Sequence, residues 1–206
     1  MYVSIYGSGS LGMQVKNLAE RNGWQVVAFI DDNKNENSKQ KKFDIPTYQI
    51  DDYVLRKELP SSILIAINNP LQRKEIKKKL EHKKIFNYPY LVDKNVILLS
   101  ETLIGEGTII FPGTIIDINS IIGEHCVINK LCSIGHDVKL KNFITISPQV
   151  MIGGNIFISE NVFIGGSSCL REGILISKNI KIGMGSVVTK NLESEGLYYG
   201  NPLKKR

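Results

Sequence analysis

The residues best suited to move a proton are the histidines, at positions 82, 125 and 136, since imidazole titrates near neutral pH unaided. All three touch an acid in sequence, His82 following Glu81 within a Lys-rich stretch. His125 follows Glu124, and His136 precedes Asp137. A carboxylate beside an imidazole orients the ring and favours its charged form, the arrangement of a general base. His136 is the better candidate because it follows Gly135, a residue suited to a chain corner, whereas His125 precedes Cys126, which belongs to an inward-facing set described below. A second constellation lies near the N-terminus. Gly7-Ser8-Gly9-Ser10-Leu11-Gly12 fits G-x-G-x-x-G, and Asp31-Asp32 follow about twenty residues later. Glycines there let a phosphate approach the backbone, and a following helix offers free N–H groups to an anion.

The elements that must position these groups obey two grammars. Residues 2–6 are β-prone, the glycine loop follows, and residues 11–21 carry a helical pattern (Leu11, Val15, Leu18, Ala19) stopped by Asn22-Gly23. Residues 24–30 read as a second strand, 51–58 and 71–80 as helices, and 62–67 as a third, buried strand ending at Asn68-Asn69. In an open parallel sheet the ligand crevice lies at the carboxyl ends of the strands. The glycine loop, Asp31-Asp32 and Asn68-Asn69 all fall at such ends, so Gly7, Ser8, Gly9, Ser10, Leu11, Asp31, Asp32 and Asn68 form the candidate substrate-binding set. The stretch is too short for a full dinucleotide fold, which favours a mononucleotide over a cofactor such as NAD.

From Ile104 to Val188 an aliphatic residue recurs every six positions, fifteen times without a slip. Neither a helix nor a simple strand alternation has that period. Two residues before each aliphatic stands a small or β-branched residue, such as Thr108, Thr114, Ser120, Cys126 and Cys132. Residues two apart on a strand share a face, so both members of each pair point inward. Gly, Asn or Ser often follows the aliphatic, which supplies a corner. Each hexad therefore reads as one short strand and one corner, the signature of a β-helix. The domain organisation expected is 1–92, a small α/β Rossmann-like βαβαβ nucleotide-sugar-binding unit, then 93–206, an all-β parallel β-helix with a C-terminal tail.

Composition narrows the function classes. No apolar run approaches the length that spans a bilayer, and no basic-then-apolar leader opens the chain, so membrane insertion is not expected and a cytoplasmic location is. Zinc-type spacing of Cys and His is lacking, so no metal is expected. Cys126 and Cys132 read as reduced packing residues. The net charge of +6 draws on Lys-rich patches at 34–42 and 73–84. No aromatic interleaving accompanies them, so nucleic acid is not an expected partner, and attraction of polyphosphate ligands is the reading preferred.

The whole chain resembles the sugar O/N-acyltransferases, the hexapeptide-repeat group of PglD-like nucleotide-aminosugar N-acetyltransferases and NeuD-like sialic acid O-acetyltransferases. The matching segments are Tyr6-Gly7-Ser8-Gly9, Ile30-Asp31-Asp32, and Ala66-Ile67-Asn68-Asn69 with Arg73 downstream. In the repeats they are Ile134-Gly135-His136-Asp137, Ile146-Ser147-Pro148 and Gly153-Gly154-Asn155, and at the tail Tyr199-Gly200-Asn201-Pro202-Leu203-Lys204. The resemblance implies a left-handed β-helix of triangular section, in which three hexads form a coil of 18 residues. Residue 154 then stacks over residue 136, about 4.8 Å away. It further implies His136 and Asp137 as the catalytic pair, Gly154 as the donor to an acetyl-CoA thioester carbonyl, and a homotrimer with acetyl-CoA between neighbouring β-helices. Gly165, Gly183, Pro202 and Lys204 would line that groove.

Two positions depart from the family pattern. Leu11 stands in the glycine loop where many members carry a His that meets the acceptor. Thr145 stands where many carry a second His, nine residues past the catalytic one. The function expected is transfer of an acetyl group from acetyl-CoA to the amino group of a nucleotide-linked amino sugar, in surface-glycan synthesis. O-acetylation of a free sugar of the sialic acid type is the alternative, given weight by Leu11. A non-catalytic β-helix that binds or regulates is the alternative of another class.

Overall fold

The computed structural model describes residues 1–33 and 45–206. It contains two compact units, 1–68 with 72–89, and 69–71 with 90–206. The Lys-rich stretch at 34–42 falls outside the described residues.

The first unit is a parallel four-stranded sheet. Its elements are β1 (Tyr2–Tyr6), α1 (Ser10–Arg21), β2 (Gln25–Ile30), β3 (Thr47–Tyr48), α2 (Ile50–Val54), β4 (Ile63–Ile65) and α3 (Pro70–His82), with strand order β3-β2-β1-β4. Ile63, Leu64 and Ile65 have no exposed surface, as a continuous apolar run in a sheet covered on both faces should. Helix α1 turns Val15, Leu18 and Ala19 inward and ends at Asn22, before a left-handed Gly23. Pro70 opens α3, where its missing N–H is not needed. Strand β3 adds an edge that the sequence did not announce, since two residues carry no period.

In the second unit each hexad forms one short strand, and the strands stack in three parallel sheets. The register is 18 residues from Leu91 to Val188. Ile110 pairs with Ile128, Ile128 with Ile146, Ile146 with Ile164, and Ile164 with Ile182. The architecture is a parallel β-helix. The inward aliphatics from Ile110 to Val188 are at most 2% exposed. Burying each such side chain stabilises by roughly 1.5–3 kcal/mol, so the ladder is the core. The same frame runs back to Leu91–Val92 and Ile97–Leu98, which pair with Ile109–Ile110 and Ile115–Ile116. Inward hydroxyls are satisfied along the axis: Thr108, Thr114 and Ser120 each donate to the carbonyl fifteen residues later, at 2.7–3.0 Å. Cys126 and Cys132 are buried thiols outside any disulfide, and burial pushes the Cys132 thiol up. At the C-terminus Gly196–Tyr199 adds a parallel strand beside Ile180–Ile182, and Lys204–Lys205 folds back against it. Among the described residues no helix is long and apolar enough to cross a membrane.

Candidate functional site

His136 and Asp137 form one corner of the β-helix, between the strands Ser133–Ile134 and Lys139–Leu140. Ile134, Val138 and Leu140 point inward, while His136 and Asp137 face outward at the corner between them. The corner backbone is held from both sides. The Asp137 N–H donates to the Ile118 carbonyl at 3.1 Å, and the Asn155 N–H donates to the His136 carbonyl at 2.8 Å. Asp137 takes a left-handed conformation, φ 57°, which a short polar side chain tolerates.

The side chains face each other across this turn. His136 Nδ1 lies 2.7 Å from Asp137 Oδ2, and both side chains are about half exposed. The hydrogen bond to Asp137 raises the His136 pKa, partly against desolvation, with the Asp137, Asp117 and Glu172 charges adding to the rise. The same bond holds the Asp137 carboxyl below its usual range. An ionised carboxylate only accepts, so the neutral ring carries its proton on Nδ1 and leaves the Nε2 lone pair free. That is the protonation state of a general base.

Gly154 lies one coil beyond His136, and its role in the corner is spatial. A Cβ built there would meet His136 Nε2 at 2.6 Å and Cε1 at 2.8 Å. The imidazole therefore rests against backbone that only glycine leaves open. The residue itself is buried in the chain. His125, the competing imidazole, has no exposed surface and stacks on Phe143 with ring centroids 5.4 Å apart. It is a packing residue.

Thr145 is fully buried and lies half a coil from His136, in the sheet that also holds Phe163–Ile164 and Ile180–Ile182. Gly165 and Gly183 follow the strands of that same sheet. A Cβ on Gly183 would meet the Cβ of Tyr199 at 2.7 Å, and Tyr199 pairs with Lys204. Thr145, Gly165, Gly183, Lys204 and the turn bearing Pro202 thus gather at one sheet and its corner. His136, Asp137 and Gly154 occupy another corner, and one chain does not bring the two groups together.

In the first unit the three expected segments do meet at the carboxyl edge of the sheet. The Gly7 N–H donates to the Ile30 carbonyl at 2.7 Å, and the Ala66 N–H to the Tyr6 carbonyl at 2.8 Å. Gly7 (φ 105°) abuts Ala66, and a Cβ on Gly12 would collide with the Gly7 carbonyl. Fold packing therefore accounts for both glycines. Gly9 is different: its φ is −76°, and a Cβ there would find no atom within 4 Å. Nothing internal asks for glycine at this place, so the open space suits an approaching ligand. Helix α1 begins beside it without a side-chain cap or an acid in its first turn, which leaves its N-terminal N–H groups available to an anion.

The acids at this edge are already engaged. Asp31 Oδ2 accepts from the Ser8 N–H at 2.9 Å and the Ser8 hydroxyl at 2.6 Å, while Oδ1 accepts from the Asn33 N–H. Asp32 accepts from the Tyr6 hydroxyl, the Ile50 N–H and Lys79. Desolvation opposes its ionisation, yet the bonds from Lys79, Tyr6 and Ile50 prevail and lower its pKa. Burial, reinforced by Asp32, raises the Tyr6 hydroxyl well above its ordinary range. Arg73, fully buried, donates to the Ile67 carbonyl at 2.6 Å and the Asn68 carbonyl at 3.3 Å, which fixes the exit of β4. Asn68 itself, like Gly9 and Ser10, is exposed. Sequence spacing placed these residues at one edge but could not reveal which of them bind one another.

The chain combines a small α/β unit that carries a glycine loop with a parallel β-helix that exposes a His–Asp pair. The model of the PglD N-terminal domain matches residues 2–80. No curated protein sequence matches the chain. Among solved structures, a mutant perosamine N-acetyltransferase from Caulobacter crescentus, in complex with CoA and GDP-perosamine, superposes with a TM-score of 0.91 at 22% identity. That match covers 100% of this chain and 97% of that one. The acetyltransferase domain of PglB from Neisseria gonorrhoeae FA1090, in complex with acetyl coenzyme A, gives 0.87 at 23% identity over 100% and 98% of the two chains. WeeI from Acinetobacter baumannii AYE gives 0.87 at 25% identity over the full length of both. The chain thus shares its fold with these proteins over its whole length, and residues 2–80 carry the likeness to the PglD N-terminal domain.

Proposed function

We propose that this protein transfers the acetyl group of acetyl-CoA to the amino group of a nucleotide-linked amino sugar used in surface-glycan synthesis. The observation that carries the reading is the exposed His136–Asp137 pair, seated on the side-chain-free Gly154. In this reading His136 Nε2 takes the proton from the amine as its nitrogen bonds the thioester carbon. The Gly154 N–H stabilises the oxyanion. The C–S bond then breaks, and the imidazolium returns the proton to the departing thiolate. Asp137 keeps the ring in the tautomer this requires.

Complexes of similar enzymes with CoA, GDP-perosamine and acetyl coenzyme A support the pairing of donor and acceptor. The open space at Gly9 and the uncapped start of α1 would take the acceptor's phosphates, with Ser10, Leu11 and Asn68 at its border. Thr145, Gly165, Gly183, Pro202 and Lys204 lie away from His136 in one chain, so the acetyl-CoA groove is proposed to form between copies in a homotrimer.

The test is a thiol-release assay with acetyl-CoA against UDP-, dTDP- and GDP-linked amino sugars and sialic acid. His136→Ala is expected to lower turnover at least about a hundredfold with the fold intact. Near-normal kinetics in that variant would remove His136 from the mechanism. O-acetylation is the second reading, favoured by Leu11 in the glycine loop. A base-labile ester as product, in place of an amide, would establish it.

A further inference from the structure

The corner of His136 and Asp137 recurs in the coils on either side. Asn119 holds the Asp137 position one coil earlier and Asn155 one coil later, all three with left-handed backbone (φ 58°, 57° and 55°). That conformation explains an Asn at either place. It does not explain where the Asn119 amide points. Asn119 Nδ2 lies 3.4 Å from Asp137 Oδ1, while the other carboxylate oxygen, Oδ2, takes His136 Nδ1 at 2.7 Å. The two oxygens of one carboxylate are thus divided between the Asn119 amide and the imidazole.

We propose that Asn119 is a positioning residue for the proton-transfer pair, holding the Asp137 carboxylate so that Oδ2 faces His136 Nδ1. The inference rests on the reading of His136 as the general base. The terminal torsion of an Asp is broad, and a donor on the second oxygen narrows it. A narrower carboxylate keeps the Nδ1–H tautomer, and hence a free Nε2, for a larger share of the time. The other charged groups that act on the pair are Asp117 beneath Gly135, Glu172 on the coil beyond Gly154, and Lys139 on the next strand.

Two substitutions test this without straining the turn. Asn119→Gly removes the amide and suits a left-handed residue. Asn119→Asp keeps the shape and replaces a donor with a like charge beside Asp137. The readouts are the pH profile of kcat/KM, the KM for acetyl-CoA, and the titration of the His136 ring followed by NMR and assigned with His136→Asn. Asn119→Gly is expected to lower the plateau of kcat/KM about three- to tenfold while the KM for acetyl-CoA holds. Asn119→Asp is expected to move the acidic limb and the ring titration upward together, by about half a pH unit, because an added negative charge favours imidazolium. Profiles and titrations that superpose on wild type in both variants would overturn the proposal. So would a loss in Asn119→Gly that tracks a fall in the thermal midpoint with the KM for acetyl-CoA rising in step. A wild-type protein that transfers no acetyl group to any acceptor refutes the enzymatic reading instead, and the ring titration in Asn119→Asp then decides the Asn119 contact alone.

Discussion

Replacing Gly154 by Ala separates two roles for that residue. Alanine keeps the backbone N–H, so a role limited to donating a hydrogen bond to an oxyanion predicts little change. The new methyl group, however, would lie 2.6 Å from His136 Nε2 and 2.8 Å from Cε1. Ordinary contact begins near 3.4 Å, so the ring must withdraw by about 0.8 Å. It is free to do so, because the side chain is half exposed and Gly154 lacks the positive φ that would strain an alanine. The fold should therefore survive, with a thermal midpoint near that of wild type. The displacement falls instead on the chemistry: it pulls Nδ1 off its 2.7 Å contact with Asp137 and moves Nε2 away from the acceptor. A misplacement of about 1 Å in a positioned group lowers the rate by roughly a hundredfold. Steady-state kinetics by thiol release measure that loss, with acetyl-CoA binding followed by calorimetry as the control. A Gly154→Ala enzyme with near wild-type kcat/KM would refute the seat, and a collapsed protein would refute the claim that the corner tolerates the ring's withdrawal.

The pH dependence follows from the same pair. The neutral ring is the active base, so kcat/KM should rise with pH and level off above the His136 pKa, which Asp137 holds above its ordinary value. Asp137→Asn removes that bond and charge. The acidic limb should then move to lower pH and the plateau should fall by at least about tenfold, and a limb that stays in place or moves up would contradict the assignment. In the first unit, Gly9→Ala should leave stability unchanged while raising the KM for the nucleotide sugar, because its Cβ meets nothing within 4 Å. Gly12→Ala should destabilise the unit itself, by an amount of order 1–3 kcal/mol, because its Cβ strikes the Gly7 carbonyl. Denaturant melts of both variants, read beside their KM values, check the contrast, and equal effects in the two would refute it.

The β-helix was legible because one physical demand repeats. Each coil needs an aliphatic residue at each inward position, so Ile110, Ile128, Ile146 and Ile164 state both the strand and its partner 18 residues away. That arithmetic also stacks Gly154 on His136. It cannot state direction, and the structure shows the imidazole lying against the Gly154 backbone, a contact that spacing alone does not give. Thr145 shows the same limit. Nine residues are half a coil, which carries it to another sheet, where it is buried.

The first unit was legible in its punctuation and less so in its chemistry. G-x-G-x-x-G located the loop after β1 and the acids after β2, because turns and strand ends have local signatures. Which partner each acid chooses is a long-range matter. Asp31 and Ser8 are 23 residues apart, and Asp32 and Lys79 are 47 apart. No period or motif links such pairs. Their bonding changes what the edge offers a ligand. Asp31 and Asp32 brace the loop, Tyr6 and α3, while Gly9 and the start of α1 remain open. A polyphosphate would meet backbone N–H groups there, and the Asp31 carboxylate, turned onto Ser8, is held partly away from the anion it would otherwise repel. The residue types that marked the crevice in the sequence are thus divided in the structure between those that build it and those that leave room in it.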